Sequence, residues 1–244
     1  MPEALHYYPG HFHKASDIIS GTVDTRGGGG LLVFIRDGKI IYKSEAWGGL
    51  SKKYADPLGG VDYTPTPSGN FVLDTPAAYR TKSWLMSEIK WGTPIKDVPS
   101  ERNLKEENKT DVWYRLPNGK WASVFKDFGI PRVTIIEFHN DLYHTRKLPS
   151  TWVFNAFGPI AIRFFKDLNG NKKRDKNEPL DGSMFHTTAE NEAELKQGNT
   201  ITMGNSHGCI HMNPSDRNQL TALKAFRGGM DLIIHPYNKK FTTK

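Results

Sequence analysis

The sequence predicts a mainly β fold with a few helices. Three observations carry this. Apolar runs are short and punctuated by glycine and proline, two hairpin turns are signalled by Asp-Gly and Asn-Gly, and few stretches carry helical spacing. The 244 residues include 23 Gly and 15 Pro, with 37% hydrophobic and 24% charged residues. That balance excludes a disordered or fibrous chain. The length suits one large domain or two small ones and buries a core without disulfide support. The longest clean apolar run, Leu31 to Ile35, is far short of the ~20 residues that span a bilayer, so no membrane span is expected.

The elements follow in chain order. Residues 1–30 are polar and irregular and end in Gly27-Gly28-Gly29-Gly30, which reads as an N-terminal extension with a flexible joint. Residues 31–244 read as the main domain. Leu31 to Tyr42 forms a hairpin about Asp37-Gly38, because apolar runs flank the dipeptide on both sides. Pro65, Pro67 and Gly69 mark a loop before a short strand, Phe71 to Leu73. Trp113 to Trp121 reads as a second hairpin about Asn118-Gly119, and Val133 to Phe138 as a strand. The charged stretch 100–110 reads as a surface loop. Pro159 to Phe165 is a strand, and Ala189 to Gln197 a short helix. Ser215 to Phe226 is a helix with Leu220, Leu223 and Phe226 on one side, Ser215 as its cap and Gly228-Gly229 as its stop. Leu232 to Ile234 closes as a strand. There is no internal repeat.

The net charge is +7, from 33 basic and 26 acidic residues. A basic surface favours anionic partners, such as an envelope polymer. No zinc-finger, helix-turn-helix or RNP pattern is present, so nucleic acid is not the expected partner. Residues 1–19 lack a cationic stretch followed by an apolar core, so they do not read as a secretory leader.

The chain has one cysteine, Cys209, which excludes an intramolecular disulfide. It lies in Asn205-Ser206-His207-Gly208-Cys209-Ile210-His211-Met212, with a histidine two residues to either side. A thiol beside a base is a candidate nucleophile. Gly208 lets backbone approach a bound carbonyl, and N–H groups of such a turn suit an oxyanion. A third histidine, His186, precedes Cys209 by 23 residues. Two other readings share these residues. On a strand, His207, Cys209 and His211 share one face, and His186 would complete a zinc site. Alternatively the thiol is buried and inert.

Ser206-His207-Gly208-Cys209-Ile210-His211-Met212 resembles the signature of the YkuD-type L,D-transpeptidase family. Tyr63 to Phe71 is similar to the family's Thr-Pro-x-Gly-x-Phe segment, Leu31 to Tyr42 to its opening hairpin, and Gly158 to Phe165 to the strand before its first histidine. The resemblance implies a β-sandwich with an inserted middle region, about 77–155, within a catalytic domain over 31–244. It implies that Cys209 attacks the carbonyl before the terminal D-Ala of a peptidoglycan tetrapeptide stem. The thioester then passes to an amine, giving a 3–3 cross-link or D-amino acid exchange, or to water. It assigns Cys209, His186 and His207 to catalysis, Gly208, Ser206 and Thr187 to the oxyanion and its support, and no required cofactor. His211 stands where Asn or Arg is common, and we expect it to touch substrate or to take over a structural hydrogen bond. The 19 residues between His186 and Ser206 are slightly more than the family's usual loop, and Glu190, Glu192 and Glu194 lie on them.

One further motif stands apart. In the twelve residues 167–178, Asp167, Asn169, Asn171, Asp175 and Glu178 place oxygens at positions 1, 3, 5, 9 and 12 of a calcium loop, although Lys172 replaces the turn glycine. A structural Ca²⁺ bracing the strand that leads to His186 is therefore one expectation, and a solvated turn the other. The site of action implied by the resemblance is the periplasm. Two settings fit it: an enzyme remodelling its own wall, or an antibacterial effector carried by secretion machinery, with a cognate immunity protein as partner. The basic charge and the absence of a readable leader favour the effector.

Overall fold

The structure is a computed structural model that describes residues 3–12, 18–19, 22–23, 29–55, 60–99 and 110–242. Gly27 and Gly28 of the four-glycine joint and nearly all of the charged stretch 100–110 lie outside the described residues. The chain divides into two compact units. The first comprises Met1–Ala77, Ala161–Thr187 and Ile201–Lys244, and the second Ala78–Ile160 and Thr188–Thr200.

The first unit is built on eight strands: β1 (Ala4–Tyr8), β4 (Gly30–Arg36), β5 (Lys39–Trp47), β6 (Gly69–Leu73), β10 (Ile162–Phe165), β11 (Leu180–His186), β12 (Ile210–Met212) and β13 (Asp231–Ile234). A two-stranded ribbon, β2 (Ile18–Ile19) and β3 (Thr22–Val23), lies between β1 and β4 in the chain. The eight strands hydrogen-bond in the closed order β1-β13-β6-β10-β11-β12-β5-β4. The mainly β class predicted from the sequence is the class observed. The β4–β5 hairpin turns on Asp37 and Gly38, both at positive φ (50° and 72°). That conformation matches the right-handed twist of the paired strands.

Side-chain alternation along these strands builds the core. Leu5 and Tyr7 on β1 face Phe34 and Leu32 on β4, and all four are almost wholly buried. Tyr7, Phe164 and Phe71 connect through Phe185 into an aromatic chain, with ring centroids 6.4 Å (Tyr7–Phe185), 6.2 Å (Phe164–Phe185) and 4.9 Å (Phe71–Phe164) apart. The opposite face of β4 is covered as well. Leu31 and Val33 pack with Tyr8, Ile35 and Phe241 in a separate cluster, which explains why β4 reads as a continuous apolar run.

The segment expected to be an irregular extension contributes β1, which pairs with β4 and β13 and closes the barrel. Its alternation spans only Leu5 and Tyr7, too short a pattern to stand out beside polar neighbours. The helix expected over Ser215–Phe226 is α4, Pro214–Ala222. Its cap is Asn213, whose side chain accepts the Ser215 N–H at 2.9 Å. Pro214 occupies the first turn, where a missing N–H leaves no bond unmade.

The second unit has a three-stranded sheet, β7 (Ile95–Pro99), β8 (Thr110–Arg115) and β9 (Trp121–Ser123), with β8 central. The Asn118-Gly119 hairpin is the β8–β9 connection, pairing Arg115 with Trp121. Three helices accompany the sheet: α1 (Val124–Phe128), α2 (Arg132–Tyr143) and α3 (Ala189–Gln197). The helix expected at Ala189–Gln197 is α3. The strand expected at Val133–Phe138 is instead part of α2. Its β-branched residues suggested a strand, but Ile135, Ile136, His139 and Leu142 are the buried positions, and their spacing is helical. The unit has its own core, in which Ile95, Val112, Ile135, Trp152 and Phe154 pack together with Ala189 and Ala193. Among the described residues, no helix is long and apolar enough to cross a membrane.

Phe185 joins the barrel walls at the centre of the aromatic chain. Phe185→Ala is expected to lower unfolding free energy by about 3–5 kcal/mol in urea titration.

Candidate active site

The site forms where β11 and β12 run parallel. Phe185 pairs with Ile210 and His186 with His211. Phe185, Ile210 and Met212 point into the core, so Met184, His186, Cys209 and His211 share the opposite face. Cys209 immediately precedes β12, two residues before His211, the partner of His186. The two-residue spacing of Cys209 and His211 was legible in the sequence. Their juxtaposition with His186 comes from the parallel register.

His186 is buried, at 4% exposure. Its Nδ1–H donates to the Thr187 carbonyl at 2.8 Å, which leaves Nε2 as the unprotonated, basic nitrogen. Burial, reinforced by His211, lowers its pKa to about 3. His211 meets the His186 ring edge-on at 4.8 Å and donates its Nδ1–H to Gly204 O at 3.2 Å. Burial lowers its pKa to about 4. Cys209 remains partly accessible. Burial pushes its thiol up to about 11; the Met184 backbone and Arg163 oppose that rise, and Asp181 adds to it. Burial thus disfavours the charged form of both the thiol and the imidazole. An attacking sulfur must lose its proton to a base as it attacks.

The turn 206–209 is clamped from both sides. Ser206 N–H donates to Gly48 O at 2.9 Å, and the Ser206 hydroxyl donates to the Cys209 carbonyl. Thr64 Oγ1 donates to His207 O at 2.8 Å, and Thr66 Oγ1 donates to Gly208 O at 2.9 Å. Gly208 has φ +125°, and a Cβ there would lie 2.7 Å from Thr64 Oγ1. Only glycine fits this turn without strain. A Cβ on Gly49 would lie 1.9 Å from Thr64 O, so the facing backbone is equally close.

The structure changes two expectations. The Gly208 N–H, expected to face an oxyanion, donates to Ser206 Oγ at 3.0 Å. The His207 ring, expected to act in catalysis or to share a zinc site, stacks on Tyr63 at 4.2 Å and 22°. Among the described residues, no group of three or more His, Cys, Asp or Glu could hold a metal ion. Thr187 supports the base through its carbonyl, and its hydroxyl accepts from Arg217 Nη1 at 3.4 Å. Sequence reasoning missed Thr64, Thr66, Arg217 and Arg163. Thr64 and Thr66 lie in the recognised Thr-Pro segment, so the signal was present without a role; Arg163 and Arg217 carried none.

The 167–178 loop connects β10 to β11 and closes on itself. Asp167 Oδ1 accepts the Gly170 N–H and Oδ2 the Lys172 N–H, both at 2.8 Å. Glu178 accepts the N–H groups of Leu168 (2.7 Å) and Asp175 (2.8 Å). The side-chain amides of Asn169 and Asn171 donate to Asp175 Oδ2 at 2.7 and 2.9 Å. Lys172 takes the left-handed conformation (φ 58°) that the motif assigns to glycine. These oxygens accept N–H groups of the same loop, which holds the turn in one conformation.

A family model, the L,D-transpeptidase catalytic domain YkuD, matches residues 22–223. No curated protein and no solved structure matches the chain.

Gly208→Ala should destabilise the protein by roughly 1–3 kcal/mol, measured by urea unfolding, because it forces a side chain into this conformation. The buried histidines set a pH dependence of stability. His186 is depressed to about 3 when folded, so between that value and about 6.5 the unfolded chain binds the extra proton. Stability is therefore full above about pH 6.5 and falls on acidification. The urea midpoint should drop from pH 7 to pH 4, with a shallower drop in His186→Gln.

Proposed function

Because the chain belongs to the YkuD-type L,D-transpeptidase family, acting on peptidoglycan, we propose that it performs cysteine-dependent acyl transfer on tetrapeptide stems. The observation that supports it is the parallel register that sets His186 against His211, two residues after Cys209, with the tautomer of His186 held by Thr187 O. In this reading Cys209 attacks the carbonyl that precedes the terminal D-Ala. Its proton passes to His186 Nε2 as the sulfur–carbon bond forms. The carbon–nitrogen bond then breaks, and His186 returns the proton to the departing D-Ala amine.

The thioester is resolved by an amine or by water, which loses its proton to His186 as the carbon–sulfur bond breaks. An amine acceptor gives a 3–3 cross-link or D-amino acid exchange, and water gives the tripeptide. The oxyanion falls to backbone N–H groups of the 206–209 turn. Gly208 can contribute only if its N–H leaves Ser206. His207 acts as a positioning residue through its stack on Tyr63, and His211 packs the base. The net charge of +7 suits an anionic wall polymer and delivery to a foreign periplasm.

The test is mass spectrometry of disaccharide-tetrapeptide muropeptides incubated with the wild-type chain and with Cys209→Ala. Loss of terminal D-Ala is expected with the wild type and is expected to vanish in the variant. Dimers, tripeptides or exchanged termini then identify the acceptor. Intact muropeptides with both proteins would overturn the reading.

A further inference from the structure

Arg163 pairs with Met184 across β10 and β11, and paired residues project to the same face. The backbone of Met184 hydrogen-bonds the Cys209 sulfur. Met184 therefore has Arg163 on one side and the sulfur on the other. The gap is about two strand spacings, roughly 10 Å, which an extended arginine side chain can cross. Arg163 Nη2 donates to the Asp181 carbonyl at 3.4 Å, while the Asp181 carboxylate accepts the Ser183 N–H at 2.8 Å. The guanidinium is close enough to Cys209 to act on it electrostatically, favouring the thiolate.

We propose that Arg163 is a specificity-determining residue of the Cys209 site, binding the free α-carboxylate of the amino acid that leaves. This rests on the acyl-transfer reading above. In that substrate the carboxylate is separated from the attacked carbonyl carbon only by the peptide nitrogen and one Cα. A guanidinium beside the nucleophile meets it when the carbonyl reaches the sulfur, and its planar fork suits a carboxylate. The consequence is exo-specificity. A stem that ends at the residue after the attacked carbonyl is accepted, and one whose chain continues or is amidated is refused. The same cation favours the developing thiolate.

Two arms test this on the full chain. The first needs no peptidoglycan: alkylation of Cys209 by iodoacetate is compared with alkylation by its neutral counterpart, iodoacetamide. Arg163→Met should lower the iodoacetate-to-iodoacetamide rate ratio about tenfold, as loss of a charge-assisted contact implies. Asp181→Asn should raise the ratio. An unchanged ratio in Arg163→Met, with iodoacetamide still reacting, would overturn the proposal. The second arm compares a tetrapeptide stem with its C-terminal carboxamide. The wild type should prefer the acid, and Arg163→Met should lose that preference. Arg163→Lys keeps the charge without the fork and serves where the methionine variant does not fold. It should raise KM for the acid with kcat retained, and an unchanged KM would overturn the proposal. If the wild type turns over neither peptide while the alkylation ratio shifts as expected, the acyl-transfer reading fails and the anion-recognising role of Arg163 stands.

Discussion

The parallel pairing of β11 with β12 is the constraint on which the site depends. Parallel strands cannot be joined by a tight turn, so residues 187–209 must leave the sheet and return. The chain uses that excursion to form α3 in the second unit, then re-enters through the clamped turn at 206–209. The register of the return sets His186 against His211. A slip of one residue would turn Cys209 into the core and bring Ile210 out. The clamp guards against that slip. Gly48 O, Thr64 and Thr66 hold three successive parts of the turn, and Gly49 and Gly208 have no side chains so that the two backbones can meet.

Burial gives this site its chemical character. A desolvated thiol and a desolvated imidazole both resist charge, which raises the Cys209 pKa and lowers that of His186. The hydrogen bonds to Thr187 O and Gly204 O add the orienting element, since each leaves the Nε2 of its histidine unprotonated. Arg163 and Asp181 act on the sulfur in opposite senses.

Much of the fold was legible where the local signal was strong. Asp37-Gly38 and Asn118-Gly119 mark hairpins because left-handed turn positions restrict the residues that fill them. Ala189–Gln197 is helical as read. Errors fell where two signals competed. Val133 to Phe138 is rich in β-branched residues, yet the burial of Ile135, Ile136, His139 and Leu142 follows a helical period. Residues 4–8 are a strand only because β4 and β13 lie ready to pair with them.

The sequence by itself determined the family and the mainly β class. Glycine at the left-handed position 208 is a local requirement that the sequence also carries. Tertiary structure decided which histidines meet at the β11–β12 pair, which of them stacks on Tyr63, and that Gly208 donates its N–H to Ser206. It also decided that Arg163 pairs with Met184, whose backbone bonds the Cys209 sulfur. These facts depend on strand register and on contacts between residues far apart in the chain. A residue's neighbours along the chain do not encode its partner across the sheet, so no local pattern could have supplied them.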